Sequence, residues 1–170
     1  EFIKSIHSEK IERNNRLLIK PQEIDVYLPD ANLAIECNGI YWHSDYYKDK
    51  NYHLNKKLKI NQVGCDIIQI TDSDWYLKND IVKDIISKRL GKIDNTIYAR
   101  KCDIRDVDTH TVKIFLDSNH LQGNANSKYR YGLYYNGELV SLMTFTKSRF
   151  NKVHDYELCR FSNKLGVIVV

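Results

Sequence analysis

The first half of the chain shows apolar patterns whose period switches between that of helices and that of strands. An amphipathic pattern predicts an opening helix, and two half-apolar runs predict strands joined by a turn at Pro29-Asp30. Gly64 ends a second helical pattern, and Asp74 is placed to cap a third, with Gly91 just after it. The predicted order is αββαβα: helix 1–13, strands 22–28 and 32–38, helix 49–63, strand 65–71 and helix 75–90.

The second half has its own pattern and predicts a second unit. Asn136-Gly137 between two strand-like runs is typical of a type I′ hairpin. The linker near 91–95 predicts domains 1–94 and 95–170, and the uncapped start and strand-like end suggest a fragment of a longer protein. The predicted elements are strand 97–104, helix 109–118, and strands 129–135, 138–146, 155–161 and 166–170.

Composition narrows the class of protein. Hydrophobic residues make up 42% and charged residues 28% of 170 residues, which is typical of a globular protein, and no apolar run is long enough to span a membrane. The four cysteines form no CxxC pair, which predicts reduced thiols in a cytoplasmic protein and disfavours a zinc site. The net charge of +4 is compatible with a polyanionic partner without establishing one.

Two carboxylates stand in apolar surroundings on the neighbouring strands 22–28 and 32–38. Asp25 lies on the first and Glu36 on the second, and a tight turn between antiparallel strands can bring them close together. Buried carboxylates need a compensating positive charge, and two hard oxygen ligands suit Mg²⁺. We therefore expect Asp25 to bind the metal, with Glu36 or the carbonyl group of Cys37 completing the site. His43, close behind Glu36, could activate or orient a water molecule.

Flat and basic side chains follow the two acids. Tyr41 and Trp42 would lie at the edge of the site, and the lysines that follow would form a basic helix face over a DNA backbone. Each feature also has a structural alternative: acids in solvent at a sheet edge, a hydrogen-bonded structural histidine, core aromatics, or a solvated helix surface. The candidate DNA-binding lysines are Lys48, Lys50, Lys56, Lys57 and Lys59.

The segments E-I-D-V-Y-L-P, I-E-C-N-G-I-Y-W-H-S-D, Y-H-L-N-K-K and I-I-Q-I-T-D-S-D-W together resemble a known nuclease domain. It is shared by very-short-patch mismatch-repair endonucleases and a group of phage homing endonucleases. The resemblance covers about a third of the chain, between Glu23 and Trp75. It implies a restriction-endonuclease-like fold, with a mixed sheet flanked by helices, and Mg²⁺-dependent cleavage of DNA. It also implies that Asp25 binds the metal, that His43 is catalytic, and that Tyr41-Trp42 match aromatics that wedge into the duplex.

The chain departs from that family at several positions. The glutamate of the family's opening helix would lie before Glu1, and a later catalytic carboxylate falls at or near His53, where a histidine must substitute or the role is lost. The acid-x-lysine signature of the wider superfamily reads Glu36-Cys37-Asn38, with asparagine in place of lysine. The zinc ligands of the repair enzymes have no match after His43.

The second unit resembles the first half of an N-acetyltransferase-like domain, through Y-A-R-K-C-D-I-R, G-L-Y-Y-N-G-E-L-V-S-L-M-T-F and Y-E-L-C-R-F. The coenzyme loop of that family would follow Val170, so we expect no acetyl transfer from this chain. The sequence as a whole predicts an α/β protein with a Mg²⁺-dependent endonuclease unit acting on double-stranded DNA, of the homing type found in phages and mobile elements. The alternatives are a DNA-binding module with a decayed site and an acyltransferase-like accessory module.

Overall fold

A computed structural model of the chain describes residues 1–39, 51–149 and 153–170. These residues form two compact units, Glu1–Ile86 and Ser87–Val170. The boundary expected from the sequence, after residue 94, lies within the second unit. Both units combine helices with β-sheet, which confirms the predicted α/β class.

The first unit is built on a four-stranded sheet in the order β1-β2-β3-β4. The pairs β1–β2 and β2–β3 are antiparallel and β3–β4 is parallel, so the sheet is mixed. Its elements are α1 (Phe2–Ile6), β1 (Glu12–Ile19), β2 (Gln22–Leu28), β3 (Leu33–Asn38), α2 (Tyr52–Gln62), β4 (Asp66–Thr71), α3 (Asp72–Leu77) and α4 (Asn79–Arg89).

Strand β3 is interior and carries the most buried residues of this sheet. Its first four residues, Leu33 to Glu36, are all buried, because β2 and β4 flank it. Ala34 packs in a core cluster with Ile60 of α2, and Tyr27 of β2, which is paired with Ala34, packs against the same cluster. Helix α2 therefore covers the sheet face on which Ala34 lies, and Glu36, two residues further along β3, shares that face.

The predicted helix over residues 1–13 is wrong beyond its first turns. The helix ends at Ile6, because His7 adopts an extended conformation and its ring Nε2 lies 3.1 Å from Asp30 Oδ1. Residues Glu12–Ile19 instead form β1, at the edge of the sheet. An edge strand buries little: only Asn15 and Ile19 are buried here, so the alternating pattern that marks a strand is missing.

The helix predicted from residue 75 to residue 90 is two helices, with a break at Lys78. Thr71, rather than Asp74, is the N-cap of the first. The Thr71 hydroxyl accepts a hydrogen bond from the Asp74 amide, and the Asp74 carboxylate accepts one from the Thr71 amide, which forms a capping box. Asp74 thus supports the helix from its third position.

The second unit contains a four-stranded antiparallel sheet in the order β6-β7-β8-β9 and a parallel pair, β5 with β10. Asn136 and Gly137 both have positive φ in the turn between β7 and β8, as the predicted type I′ hairpin requires. The strand predicted over 97–104 is interrupted by a 3₁₀ turn at Ala99–Lys101. The elements are β5 (Thr96–Ile97), β6 (Asp103–Asp106), α5 (Thr109–Asn119), β7 (Tyr129–Tyr135), β8 (Glu138–Lys147), β9 (Tyr156–Asn163) and β10 (Ile168–Val169).

Two further expectations concern the whole chain. Within residues 1–39, 51–149 and 153–170, every helix falls short of the length and apolar character that a membrane crossing needs. All four cysteines are free, in agreement with the predicted reduced thiols.

Candidate active site

The paired strands β2 and β3 separate at the point where the two predicted acids lie. Their antiparallel pairing runs from Leu28–Leu33 to Val26–Ile35, and one further step in the same register brings Asp25 opposite Glu36. At this point, hydrogen bonds from backbone amides to side-chain carboxylates take the place of the backbone–backbone hydrogen bonds between the strands. The amide of Asp25 donates to Glu36 Oε1 at 3.3 Å, and the amide of Cys37 donates to Asp25 Oδ2 at 2.7 Å.

This reciprocal bonding fixes both carboxylates on the backbone of the opposite strand. We call the arrangement of Asp25, Glu36 and Cys37 the strand fork. Hydrogen bonds from backbone amides favour the charged form of a carboxylate and restrict its rotation. The sequence-based expectation that Asp25 and Glu36 lie close together is met in the structure.

A buried lysine from α2 faces the strand fork. Lys56 is 5% exposed and Glu36 is 4% exposed, and Lys56 Nζ donates to Glu36 Oε2 in an ion pair. Lys56 and Ile60, one turn apart, are the two buried residues of α2, and Ile60 anchors the helix in the core. The charge of Glu36 is therefore compensated within the protein, as burial of a carboxylate demands.

The environment of Glu36 acts on its protonation in opposing directions. Burial raises the pKa of the Glu36 carboxyl group above its ordinary value, and the charge of Asp25 adds to this. The hydrogen bond and charge of Lys56, together with the amide of Asp25, lower the pKa but do not cancel the effect of burial. Glu36 is thus an acid whose ionisation depends on a positive charge beside it.

The neighbouring thiol is held in its neutral form. Desolvation, followed by the charges of Asp25, Glu36 and Asp72, raises the pKa of the Cys37 thiol. A protonated thiol is a poor ligand for Mg²⁺, so a contribution of Cys37 to a metal site would come from its backbone carbonyl group.

Gln69 belongs to the same region, although the sequence pattern did not mark it as a site residue. It is paired with Glu36 across β3 and β4, and its side-chain amide Nε2 donates to the carbonyl group of His53 at 3.4 Å. The available signal was a lone amide residue inside the apolar strand 65–71. Gln69 links the strand that neighbours Glu36 to the first turn of α2, and so helps to position the helix that carries Lys56.

The expected position of Lys56 is wrong. The sequence placed it on an exposed basic face with Lys57 and Lys59, but its side chain is buried against Glu36. The helical repeat explains the difference, since Lys56 lies on the same side of α2 as Ile60, whereas Lys57 and Lys59 are exposed. Of the predicted DNA-binding lysines in α2, Lys57 and Lys59 keep the exposure that phosphate contacts require.

The remaining predicted residues are only partly covered by the structure. His53 lies in the first turn of α2, three residues before Lys56, with its ring against Tyr52 at a centroid distance of 5.3 Å. Its catalytic role stays a prediction. Five further candidates lie outside the described residues: Tyr41, Trp42, His43, Lys48 and Lys50.

The donor set of the strand fork suits a hard divalent cation. Across residues 1–39, 51–149 and 153–170, no group of three or more His, Cys, Asp and Glu side chains could hold a metal ion. Mg²⁺ does not need such a group, because it is commonly bound through one or two carboxylates, with water and substrate phosphate oxygens as its other ligands. Asp25 and Glu36 supply two carboxylates, and the carbonyl group of Cys37 supplies a third oxygen. These residues therefore fit Mg²⁺.

Comparisons of the chain with protein-family models, with curated proteins and with solved structures found no match.

Proposed function

We propose that the first unit is a Mg²⁺-dependent endonuclease of double-stranded DNA with a restriction-endonuclease-like fold, of the homing type carried by phages and mobile elements. The observation that supports this most is the strand fork, in which Asp25 and Glu36 meet on one sheet face beside a buried lysine. The sequence resemblance between Glu23 and Trp75 points to the same chemistry independently of the geometry.

In this mechanism Asp25, Glu36 and the carbonyl group of Cys37 would hold Mg²⁺. When bound, the ion lowers the pKa of a coordinated water molecule and stabilises the developing charge on phosphate oxygens. The backbone amides that bind Asp25 and Glu36 hold both carboxylates in a fixed orientation before substrate arrives. The acids would thus act as fixed ligands on two neighbouring interior strands.

Lys56 supplies the positive charge that the local sequence motif lacks. The acid-x-lysine signature has Asn38 at its lysine position, but α2 brings Lys56 to the same acid, Glu36. A lysine here can stabilise a phosphate oxygen or an attacking water molecule. His43 remains the proposed proton acceptor, and Lys57 and Lys59 are proposed to contact the DNA backbone.

The direct test is cleavage of supercoiled plasmid by the chain with Mg²⁺, compared with the same reaction in EDTA. We expect Asp25→Asn to abolish cleavage, because it removes one negative ligand. Asparagine keeps a side-chain oxygen that can still accept the hydrogen bond from Cys37, so the fold should survive. The matched control is Asp80→Asn, the same substitution at an exposed position of α4.

Two outcomes would contradict the proposal in different ways. Full cleavage by Asp25→Asn would remove Asp25 from the site. Tight binding of duplex DNA by the unmodified chain, without cleavage under any divalent cation, would favour the DNA-binding module with a decayed site. For the second unit, the N-acetyltransferase-like resemblance stays a prediction.

A further inference from the structure

Both carboxylate oxygens of Glu36 already have a partner. Oε1 accepts the hydrogen bond from the Asp25 amide, and Oε2 accepts the one from Lys56 Nζ. Each of these oxygens keeps a second lone pair that could bind a metal ion. A divalent cation at Glu36 would nevertheless be repelled by the ammonium group of Lys56, so the cation competes with Lys56 for Glu36. Which donor moves away from Glu36 determines how the site changes when the metal binds.

The two donors differ greatly in freedom to move. The Asp25 amide belongs to a strand paired on both sides, so its withdrawal would deform the sheet. Lys56 Nζ stands at the end of a flexible four-carbon side chain whose helix is anchored separately by Ile60. The ammonium group can leave Glu36 without any change in the backbone.

We propose that Lys56 is an exchangeable internal cation: it neutralises Glu36 while no divalent ion is bound, and moves from Glu36 to a phosphate oxygen when the ion and DNA bind. This inference rests on the proposed function and adds a regulation of the same site. It makes Lys56 a competitor of the metal for Glu36 and, once displaced, a positioning residue for the substrate.

The charges of the site make metal binding depend on DNA. Asp25, Glu36 and Lys56 together carry one net negative charge, which a divalent cation would convert into one net positive charge. A phosphate group would bring the total back to zero and offer the displaced Lys56 a new partner. Metal and DNA should therefore bind with positive coupling, in which each raises the affinity for the other by the same factor.

The first measurement is Mn²⁺ affinity in the 170-residue chain without DNA, followed by the electron paramagnetic resonance signal of free Mn²⁺. Mn²⁺ accepts the same oxygen ligands as Mg²⁺ and is directly observable. We expect Lys56→Met to tighten Mn²⁺ binding about ten-fold, within the range typical of coupling between two ligands. Lys4→Met, the same substitution at an exposed lysine of α1, should leave the affinity unchanged. Equal or weaker binding by Lys56→Met would overturn the exchange.

The second measurement uses the unmodified chain and does not depend on the folding of a variant. Acetylation by an amine-reactive reagent, quantified by mass spectrometry, should be slow at Lys56 without metal, because its side chain is 6% exposed and bonded to Glu36. Saturating Mn²⁺ should raise labelling of Lys56 several-fold and leave that of Lys57 unchanged. Continued protection of Lys56 with Mn²⁺ bound would overturn the exchange.

Mn²⁺ binding by the unmodified chain distinguishes a failure of the Lys56 exchange from a failure of the metal site itself. If Mn²⁺ binds the unmodified chain and not Asp25→Asn, while both Lys56 measurements are negative, the metal site stands and only the exchange is rejected. If Mn²⁺ does not bind the unmodified chain at all, the metal site is rejected and the exchange with it.

Discussion

At the scale of single residues, the first unit depends on one buried acid and one buried base that compensate each other. Burial of Glu36 and Lys56 costs free energy that their mutual attraction and the hydrogen bond from the Asp25 amide offset. Removing one partner leaves an uncompensated buried charge, at a cost of about 3–5 kcal/mol, whereas removing both is often neutral or stabilising.

The pH dependence of stability should reveal this coupling. The pKa of Glu36 in the folded chain is raised above its value in the unfolded chain, so between the two values the folded chain holds a proton that the unfolded chain has lost. Stability must therefore fall as pH rises through that window. Lys56→Met removes a contribution that lowers the pKa of Glu36, so the window extends upward and the loss grows.

We expect Lys56→Met to cost about 3–5 kcal/mol of unfolding free energy at pH 8 and clearly less at pH 5, where Glu36 can protonate. Urea denaturation at the two pH values measures this difference. The double variant Glu36→Gln/Lys56→Met serves as control and should show no such difference between the two pH values. An equal loss for Lys56→Met at both pH values would contradict the coupling.

Individual residues of the site were predictable to different degrees. Asp25 and Glu36 could be selected because acids in apolar strand patterns are conspicuous, and their meeting follows from a tight turn. Lys56 could not be separated from Lys57 and Lys59, since a weakly amphipathic helix does not show which side faces the sheet. Gln69 is visible in the sequence as a lone amide residue in an apolar strand, but only the structure shows that it is paired with Glu36.

At the scale of secondary structure, α2 has two different uses. Its buried side contributes Lys56 and Ile60 to the sheet face, and its other side exposes Lys57 and Lys59 to solvent. Lys59 Nζ also lies 3.3 Å from Gln22 Oε1 of β2. One helix therefore carries a cation for the site and cations for a polyanionic partner.

Salt dependence separates these two uses. We expect Lys57→Ala to weaken duplex DNA binding and to reduce the slope of log affinity against log salt by about one unit, because one phosphate contact is lost. Fluorescence anisotropy of a labelled duplex at several salt concentrations measures both quantities. Lys4→Ala, at an exposed lysine of α1, is the matched control and should keep the slope of the unmodified chain. An unchanged slope for Lys57→Ala would remove this residue from the DNA interface.

Buried helices and strands were predicted more accurately from the sequence than exposed ones. Strands β2, β3 and β4 and helix α5 lie within about two residues of their predicted bounds, because buried elements produce clear periodicity. Strand β1 was missed, because an edge strand with two buried residues shows almost no hydrophobic periodicity. The break at Lys78 was also missed, because no glycine or proline marks it.

At the scale of the whole molecule, the two units have separate cores. The first centres on Ile24, Ala34 and Ile60, and the second unit has a cluster around α5 that includes Val112 and Leu116. We expect Leu116→Ala, at a fully buried position, to lower the stability of the second unit by about 2–5 kcal/mol. Mn²⁺ affinity at the strand fork should not change.

Calorimetry and Mn²⁺ titration on the same sample check both parts of this prediction. Ile114→Ala, at an exposed position of the same helix, is the control and should affect neither quantity by much. Loss of Mn²⁺ binding in Leu116→Ala at a temperature where the first unit remains folded would show that the site depends on the second core.

The alternation of side chains along β3 places the site and the hydrophobic core on the same six-residue strand. Ala34 and Glu36 point toward α2, whereas Leu33 and Ile35 point to the opposite face of the sheet. Inserting or deleting a single residue within β3 would reverse this order, turning the acid away from Lys56 and an isoleucine toward it. Insertions and deletions in this strand should therefore be excluded during the evolution of the protein, whereas point substitutions remain possible. The number of residues between the core position and the acid is thus a stricter requirement than the identity of most residues in the strand.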